Sequence, residues 1–126
     1  MISIPEEIQE ILDTLPFEIS FVDKNDVVKY FNKVGKREIF PRTEEVIGRK
    51  VQNCHPKKSL QKVEQILHDF KTGKKDVAEF WIDLKGRKIY IRYFAVRNKN
   101  NEYLGCLEVS QDITEIQRIK GEKRLL

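Results

Sequence analysis

The first apolar residues fall on one side of a helix. Ile8, Ile11, Leu12 and Leu15 follow the i, i+3, i+4, i+7 spacing, and Ser3-Ile4-Pro5-Glu6 ahead of them reads as a capping box with an early proline. Pro16 ends that helix. From Phe17 to Val22 the pattern changes to alternation, Asp23-Lys24-Asn25-Asp26 makes a turn, and Val27 to Phe31 continues as a second strand, so this region predicts a β-hairpin. Between Asn32 and Cys54 the apolar residues thin out, and Gly35, Pro41 and Gly48 break the chain into short helical pieces such as Thr43 to Ile47. Ser59 then caps a longer helix reaching about Phe70, with Leu60, Val63, Ile66, Leu67 and Phe70 as its stripe and Gly73 as its stop.

The C-terminal half carries three β-runs, Val77 to Leu84, Arg87 to Val96 and Tyr103 to Gln111. Lys85-Gly86 and Asn98-Lys99-Asn100-Asn101 supply the turns. After Asp112-Ile113-Thr114, the residues Ile116, Ile119 and Leu126 lie on one side of a charged helix. This order predicts an α+β fold: a five-stranded antiparallel sheet with short helices on one face and flanking N- and C-terminal helices. Residues 1–15 form the N-terminal flanking helix, 16–114 the core and 115–126 the start of the C-terminal helix.

A chain of 126 residues with 40% hydrophobic content builds one modest core and no second one. The net charge of +4 comes from lysines and arginines interspersed with acids, the pattern of a solvated surface. Lys57-Lys58, Lys71, Lys74-Lys75 and Arg97-Asn98-Lys99 lack an interleaved aromatic platform, so no nucleic-acid partner is expected. Cys54 and Cys106 stand far apart without zinc-site spacing. Neither a signal peptide nor a membrane span is recognisable, and a cytoplasmic module with reduced thiols is expected.

Three stretches in this order resemble the PAS family. Asp23-Lys24-Asn25-Asp26-Val27-Val28-Lys29-Tyr30-Phe31-Asn32 resembles its first hairpin, running from an aspartate through a turn to an asparagine. Glu45-Val46-Ile47-Gly48-Arg49-Lys50 with Cys54-His55-Pro56 resembles its IGR…HP connection, although Lys57-Lys58 replaces the usual acidic pair. Arg97-Asn98 through Gly105, followed by Asp112-Ile113-Thr114, resembles the last hairpin and its exit. The run from Leu15-Pro16-Phe17 to Asn53-Cys54-His55-Pro56 is also similar to a PAS subgroup joined to hemerythrin-like domains in bacteria and archaea. The resemblance implies a bacterial or archaeal sensory module that binds a small molecule between sheet and helices and relays its state through the terminal helices. It further implies a homodimer and a companion or output domain in a larger protein. The alternative is a dimerisation or docking module whose cavity its own side chains fill.

Pairing the strands gives a candidate site. The Lys85-Gly86 turn pairs Leu84 with Arg87, Ile82 with Ile89, Phe80 with Ile91 and Glu79 with Arg92. A turn centred on Asn100 would set Arg92 opposite Glu108, Tyr90 opposite Ser110, Phe94 opposite Cys106 and Ile91 opposite Val109. One face then carries Phe80, Ile82, Ile89, Ile91, Tyr93, Leu107 and Val109 with Phe17, Ile19 and Phe21. The other carries Glu79, Trp81, Tyr90, Arg92, Phe94, Cys106, Glu108 and Ser110 with Ser20 and Val22. Periodicity alone turns the apolar face toward the helices. In flavin-binding PAS relatives the residue two before the exit aspartate, here Ser110, points into the cavity, which would turn the mixed face inward. On that reading Arg92, Glu108, Tyr90, Ser110, Trp81, Ser20 and Phe94 line a ligand site. Ile8, Ile11, Leu12, Leu15, Ile91, Val109 and Ile116 then pack helices or a second subunit.

His55 is a candidate haem ligand by resemblance, with Cys54 as a neighbouring donor, against the plainer reading of His55-Pro56 as a turn. Flavin is the other cofactor the family admits, but Lys50 and Val51 follow Gly48-Arg49 where a photoactive cysteine would be needed. Haem and flavin are both compatible with the residues, and neither is selected. His68 lies off the helix stripe, and Ser59 near His55 is more readily a cap than a nucleophile, so no enzyme is expected.

Overall fold

The structure is a computed structural model describing residues 3–33 and 39–126; Gly35 and the side chain of Cys54 lie outside the described residues. Its order is α1 (Glu6–Thr14), β1 (Glu18–Asp23), β2 (Val28–Phe31), 3-10 turns at Glu44–Val46 and Val51–Cys54, α2 (Lys57–Thr72), β3 (Val77–Leu84), β4 (Arg87–Arg97) and β5 (Tyr103–Asp112). The five strands form one antiparallel sheet in the order β2-β1-β5-β4-β3, which places β5 at the centre and leaves β3 as a long edge.

Helix ends differ from the expected caps. Pro5 itself occupies the N-cap of α1 and no side chain caps it, because Ser3 then falls outside the first turn. In α2 the N-cap is Pro56, three residues earlier than Ser59 would place it, and Ser59 Oγ turns back to the Pro56 carbonyl at 3.2 Å. Gly73 closes α2 in the left-handed conformation at φ 79°, a geometry that costs glycine little.

The β3–β4 register is the expected one, from Leu84↔Arg87 through Ile82↔Ile89 and Phe80↔Ile91 to Glu79↔Arg92. The β4–β5 register is not. At the turn, Arg97 pairs with Tyr103, as a centre at Asn100 demands, but Val96 pairs with Gly105. Leu104 is thus an extra residue on β5, a β-bulge that shifts every later pair by one. Arg92 faces Val109, Tyr93 faces Glu108, Ile91 faces Ser110 and Phe94 faces Leu107. A shift of one residue exchanges the faces of a strand. The inner face therefore combines Phe80, Ile82, Ile89, Ile91 and Tyr93 with Cys106, Glu108, Ser110, Ser20 and Val22, whereas Trp81, Tyr90, Arg92 and Phe94 lie with Leu107 and Val109 on the outer face. A second bulge, at Lys29, lets Val28 face inward while Tyr30 faces outward. The Gly105 backbone lies against β1: a Cβ there would collide with the Val22 carbonyl oxygen and the Phe21 ring, so only glycine fits.

Two apolar clusters flank the sheet. Inside, Val22, Val28 and Cys106 pack on Leu67 and Phe70 of α2. Outside, Ile19, Tyr30 and Val109 are covered by Leu12 and Leu15 of α1 with Ile4 and Phe17. Polar ties fix α1 there: Gln9 Nε2 donates to Tyr30 Oη at 2.8 Å, and Asn32 Nδ2 donates to the Leu12 carbonyl at 3.0 Å. Val109, Leu12 and Leu15 lie together in this outer cluster. Ile91 is instead buried on the inner face, and Ile8, Ile11 and Ile116 are exposed. Where a C-terminal helix is expected, the chain makes one 3-10 turn, Ile116–Arg118, and runs on without regular structure to Leu126. Ile116 and Ile119 are 48% and 72% exposed, and an apolar edge without a packed face does not sustain a helix.

Candidate functional site

Between the inner face and α2 lie two adjoining cavities. The inner chamber, about 40 Å³, is walled chiefly by Val22, Val28, Leu67 and Cys106. The outer cleft, about 590 Å³, opens between Phe80, Ile82 and Ile91 of the sheet and Pro56, Ser59 and Lys62 of α2 and its approach. Arg42, His55, Val63, Ile66, Tyr93 and Glu108 line both and form their junction. The cleft has the size of a small-molecule pocket, with a mainly apolar wall and a few convergent polar groups.

Glu108 is the centre of those groups. Its carboxylate lies 4.0 Å from Arg42 Nη2, with the two side chains only 13% and 21% exposed, and it also accepts a hydrogen bond from the Tyr93 hydroxyl. Burial, reinforced by Glu108, raises the Tyr93 phenol far above its ordinary value, so Tyr93 stays a neutral donor. The same causes push the Cys106 thiol up to about 12, leaving it protonated and inert. Arg42 follows a segment tied to β1, where the Glu18 carboxylate accepts the backbone N–H groups of Ile39 and Phe40, each at 2.9 Å. His55 Nδ1 lies 2.9 Å from the Val51 carbonyl; it donates there and leaves Nε2 with its lone pair.

The seven residues expected to line one site are divided by the register. Glu108 lines the junction, Ser20 lines the inner chamber, and Ser110 lies on the same face, fully buried, its Oγ without a hydrogen-bond partner among the described residues. Trp81, Tyr90, Arg92 and Phe94 face the other way. The expected Glu79–Arg92–Glu108 row does not form. Glu79 instead accepts the Tyr90 hydroxyl, and the Arg92 guanidinium stacks over Tyr90 and Phe94 at 4.9 and 5.6 Å. Arg42, Phe40, Lys62 and Tyr93 are the site residues that strand pairing did not find. The signal available in the sequence was Glu108 itself, because an inward carboxylate requires a cation from another element. His68 is exposed, as its place off the stripe implies.

At the exit, Asp112 accepts from Arg87 Nε at 2.8 Å and from the Thr114 hydroxyl at 2.7 Å. The Arg87 guanidinium, followed by the Thr114 hydroxyl, holds its carboxyl down at about 2. Thr114 Oγ1 in turn accepts the Lys88 backbone N–H at 2.8 Å, fastening the end of β5 to the β3–β4 hairpin. Among the described residues, no group of three or more His, Cys, Asp or Glu could hold a metal ion, and no helix is long and apolar enough to cross a membrane.

A family model described as a PAS domain matches residues 8–114. The crystal structure of a C-terminal domain from Streptococcus mutans is 35% identical, with a TM-score of 0.85 over 91% of this chain and 89% of that one. The PAS domain of BvgS from Bordetella pertussis is 18% identical, with a TM-score of 0.65 over 90% of each chain. A sensory box sensor histidine kinase from Vibrio cholerae is 13% identical, with a TM-score of 0.62 over 86% of this chain and 90% of that one. The last two bear on the fold alone. No protein of curated function matches the chain.

Proposed function

The chain belongs to the PAS family, and from that premise we propose that it is a sensory module, not an enzyme, which takes a small molecule into the cleft between the sheet and α2. The observation that carries this reading is the junction of Arg42, Tyr93 and Glu108, charged and polar groups converging inside an otherwise apolar recess. Glu108 stays in the ligand-contacting set, Ser20 lines the small chamber behind it, and Arg42, His55, Phe80 and Ile82 join the set. Glu108 stands on the central strand four residues before Asp112, so an occupant that displaces it acts on the strand that leads directly to the exit. A companion domain of a larger protein would read the change there.

Haem and flavin can be weighed against the same geometry. The inner chamber is far too small for either ring system, so either would lie in the outer cleft, where His55 offers the Nε2 lone pair an iron needs. Bound there, haem would supply a gas-binding iron and flavin a redox-active ring. The absorption spectrum and native mass of freshly purified protein test the proposal, together with thermal shifts against a metabolite and cofactor panel. A co-purifying compound, or a clear stabilisation by one panel member, is expected. An apoprotein that no panel member stabilises would overturn it. A second reading, dimerisation without ligand, is favoured by one feature: the stripe of α1 is half used, with Ile8 46% and Ile11 56% exposed beside the packed Leu12 and Leu15.

A further inference from the structure

The charges of the cleft do not balance. Among the described residues that line it, Arg42 and Lys62 are the fixed cations and Glu108 is the one carboxylate. Glu108 is already served by the Tyr93 hydroxyl, and its contact with Arg42, at 4.0 Å, is too long for a good charge-assisted hydrogen bond. Besides that contact, the Arg42 guanidinium makes a 3.4 Å approach from Nη1 to the neighbouring Pro41 carbonyl. A planar fork of donors so loosely engaged, inside a recess, suits a carboxylate better than the partner it has. Opposite the cations the wall is apolar, and Phe80 and Ile82 are 36% and 38% exposed although they lie on the inner face. Their exposed area is surface an apolar body would remove from water.

Resting on the reading of this cleft as a ligand site, we infer that its occupant is a small amphipathic anion. The carboxylate engages Arg42 and Lys62 in place of Glu108, and the apolar body lies on Phe80, Ile82 and Ile66. Binding is therefore an exchange of partners at Arg42: the tie between the segment carrying Arg42 and the central strand is released, and Glu108 remains with Tyr93. The ligand's charge, and not only its apolar part, is what the module detects.

Octanoate and octanamide share an apolar body and differ in charge. Titration of the purified chain by calorimetry and by NMR shifts is expected to show octanoate binding at least about tenfold tighter, the scale of a hydrogen bond to a charged group. Arg42→Gln should abolish the difference. Glu108→Gln, which removes the competitor, should tighten octanoate several-fold and leave octanamide unchanged. Lys62→Gln, at an exposed helix position that does not threaten folding, should weaken octanoate alone. Equal affinity for the two probes would overturn the anion inference while leaving the cleft a ligand site. Failure of both probes to bind would also overturn it, and the ligand-site reading would then stand or fall on the native mass and panel measurements. Tightening of octanamide along with octanoate in Glu108→Gln would refute the exchange.

Discussion

Replacing Asn32 with alanine tests the polar bracket that joins α1 to the sheet. Asn32 is completely buried; its Oδ1 accepts the Ile19 N–H at 2.8 Å, and its Nδ2 donates to the Leu12 and Phe17 carbonyls at 3.0 and 3.1 Å. The variant leaves one fully buried N–H without its acceptor, which costs about 1–3 kcal/mol. The two carbonyls lose a donor each, at about 0.5–1 kcal/mol apiece, because they are partly buried and Leu12 O keeps the Leu15 N–H. A total of about 3 kcal/mol lowers the melting temperature of a chain of 126 residues by roughly 9–15 °C, measurable by circular dichroism. Asn32→Asp sharpens the test. As a carboxylate it turns an oxygen toward two carbonyl oxygens; once protonated it donates to one of them. Its folded pKa must therefore be raised, so the variant is relatively more stable at acidic pH and loses stability as pH rises from the unfolded value toward the folded one. The reasoning is refuted if Asn32→Ala stays within about 1 kcal/mol of wild type, or if Asn32→Asp is destabilised equally at acidic and alkaline pH.

Two other outcomes are expected. Because the folded Asp112 carboxyl titrates near 2, below its ordinary value of 3.8, its contribution is complete above that value and fades as pH falls toward 2. Asp112→Asn should remove that part of the acid sensitivity, about 1 kcal/mol after solvent screening at this half-exposed site, in pH-dependent urea unfolding; identical acid profiles would contradict it. For the dimerisation reading, Ile8→Asp should abolish any concentration-dependent self-association in sedimentation velocity while leaving monomer stability within about 0.5 kcal/mol; unaltered association would remove α1 from the interface.

The order of elements was legible because each carried its own period: the α2 stripe ending at Gly73, the alternation of β1, and the Lys85-Gly86 turn, which fixed every β3–β4 pair. The turn about Asn100 was also legible, and Arg97 does pair with Tyr103. The count beyond it differs by one: Gly105 inside the strand pattern is the local mark of a bulge or a close backbone approach, and the packing of β1 against it fixes which. The site was lost at that step: Arg92 went to the aromatic outer face and Tyr93 came to Glu108. Arg42 was illegible for another reason. It lies in the stretch without periodicity, and only the fold carries it across to β5. The exit helix was read from the Ile116 and Ile119 pattern, which a lone apolar edge with nothing to lie on cannot enforce.

Leu104 decides which side chains the central strand turns inward. With it, β5 presents a cysteine, a glutamate and a serine to the inner face; without it, the same strand would present leucine and valine instead. Gain or loss of a single codon at the rim of a surface hairpin would thus replace an entire wall at once, where point substitution would need several coordinated steps.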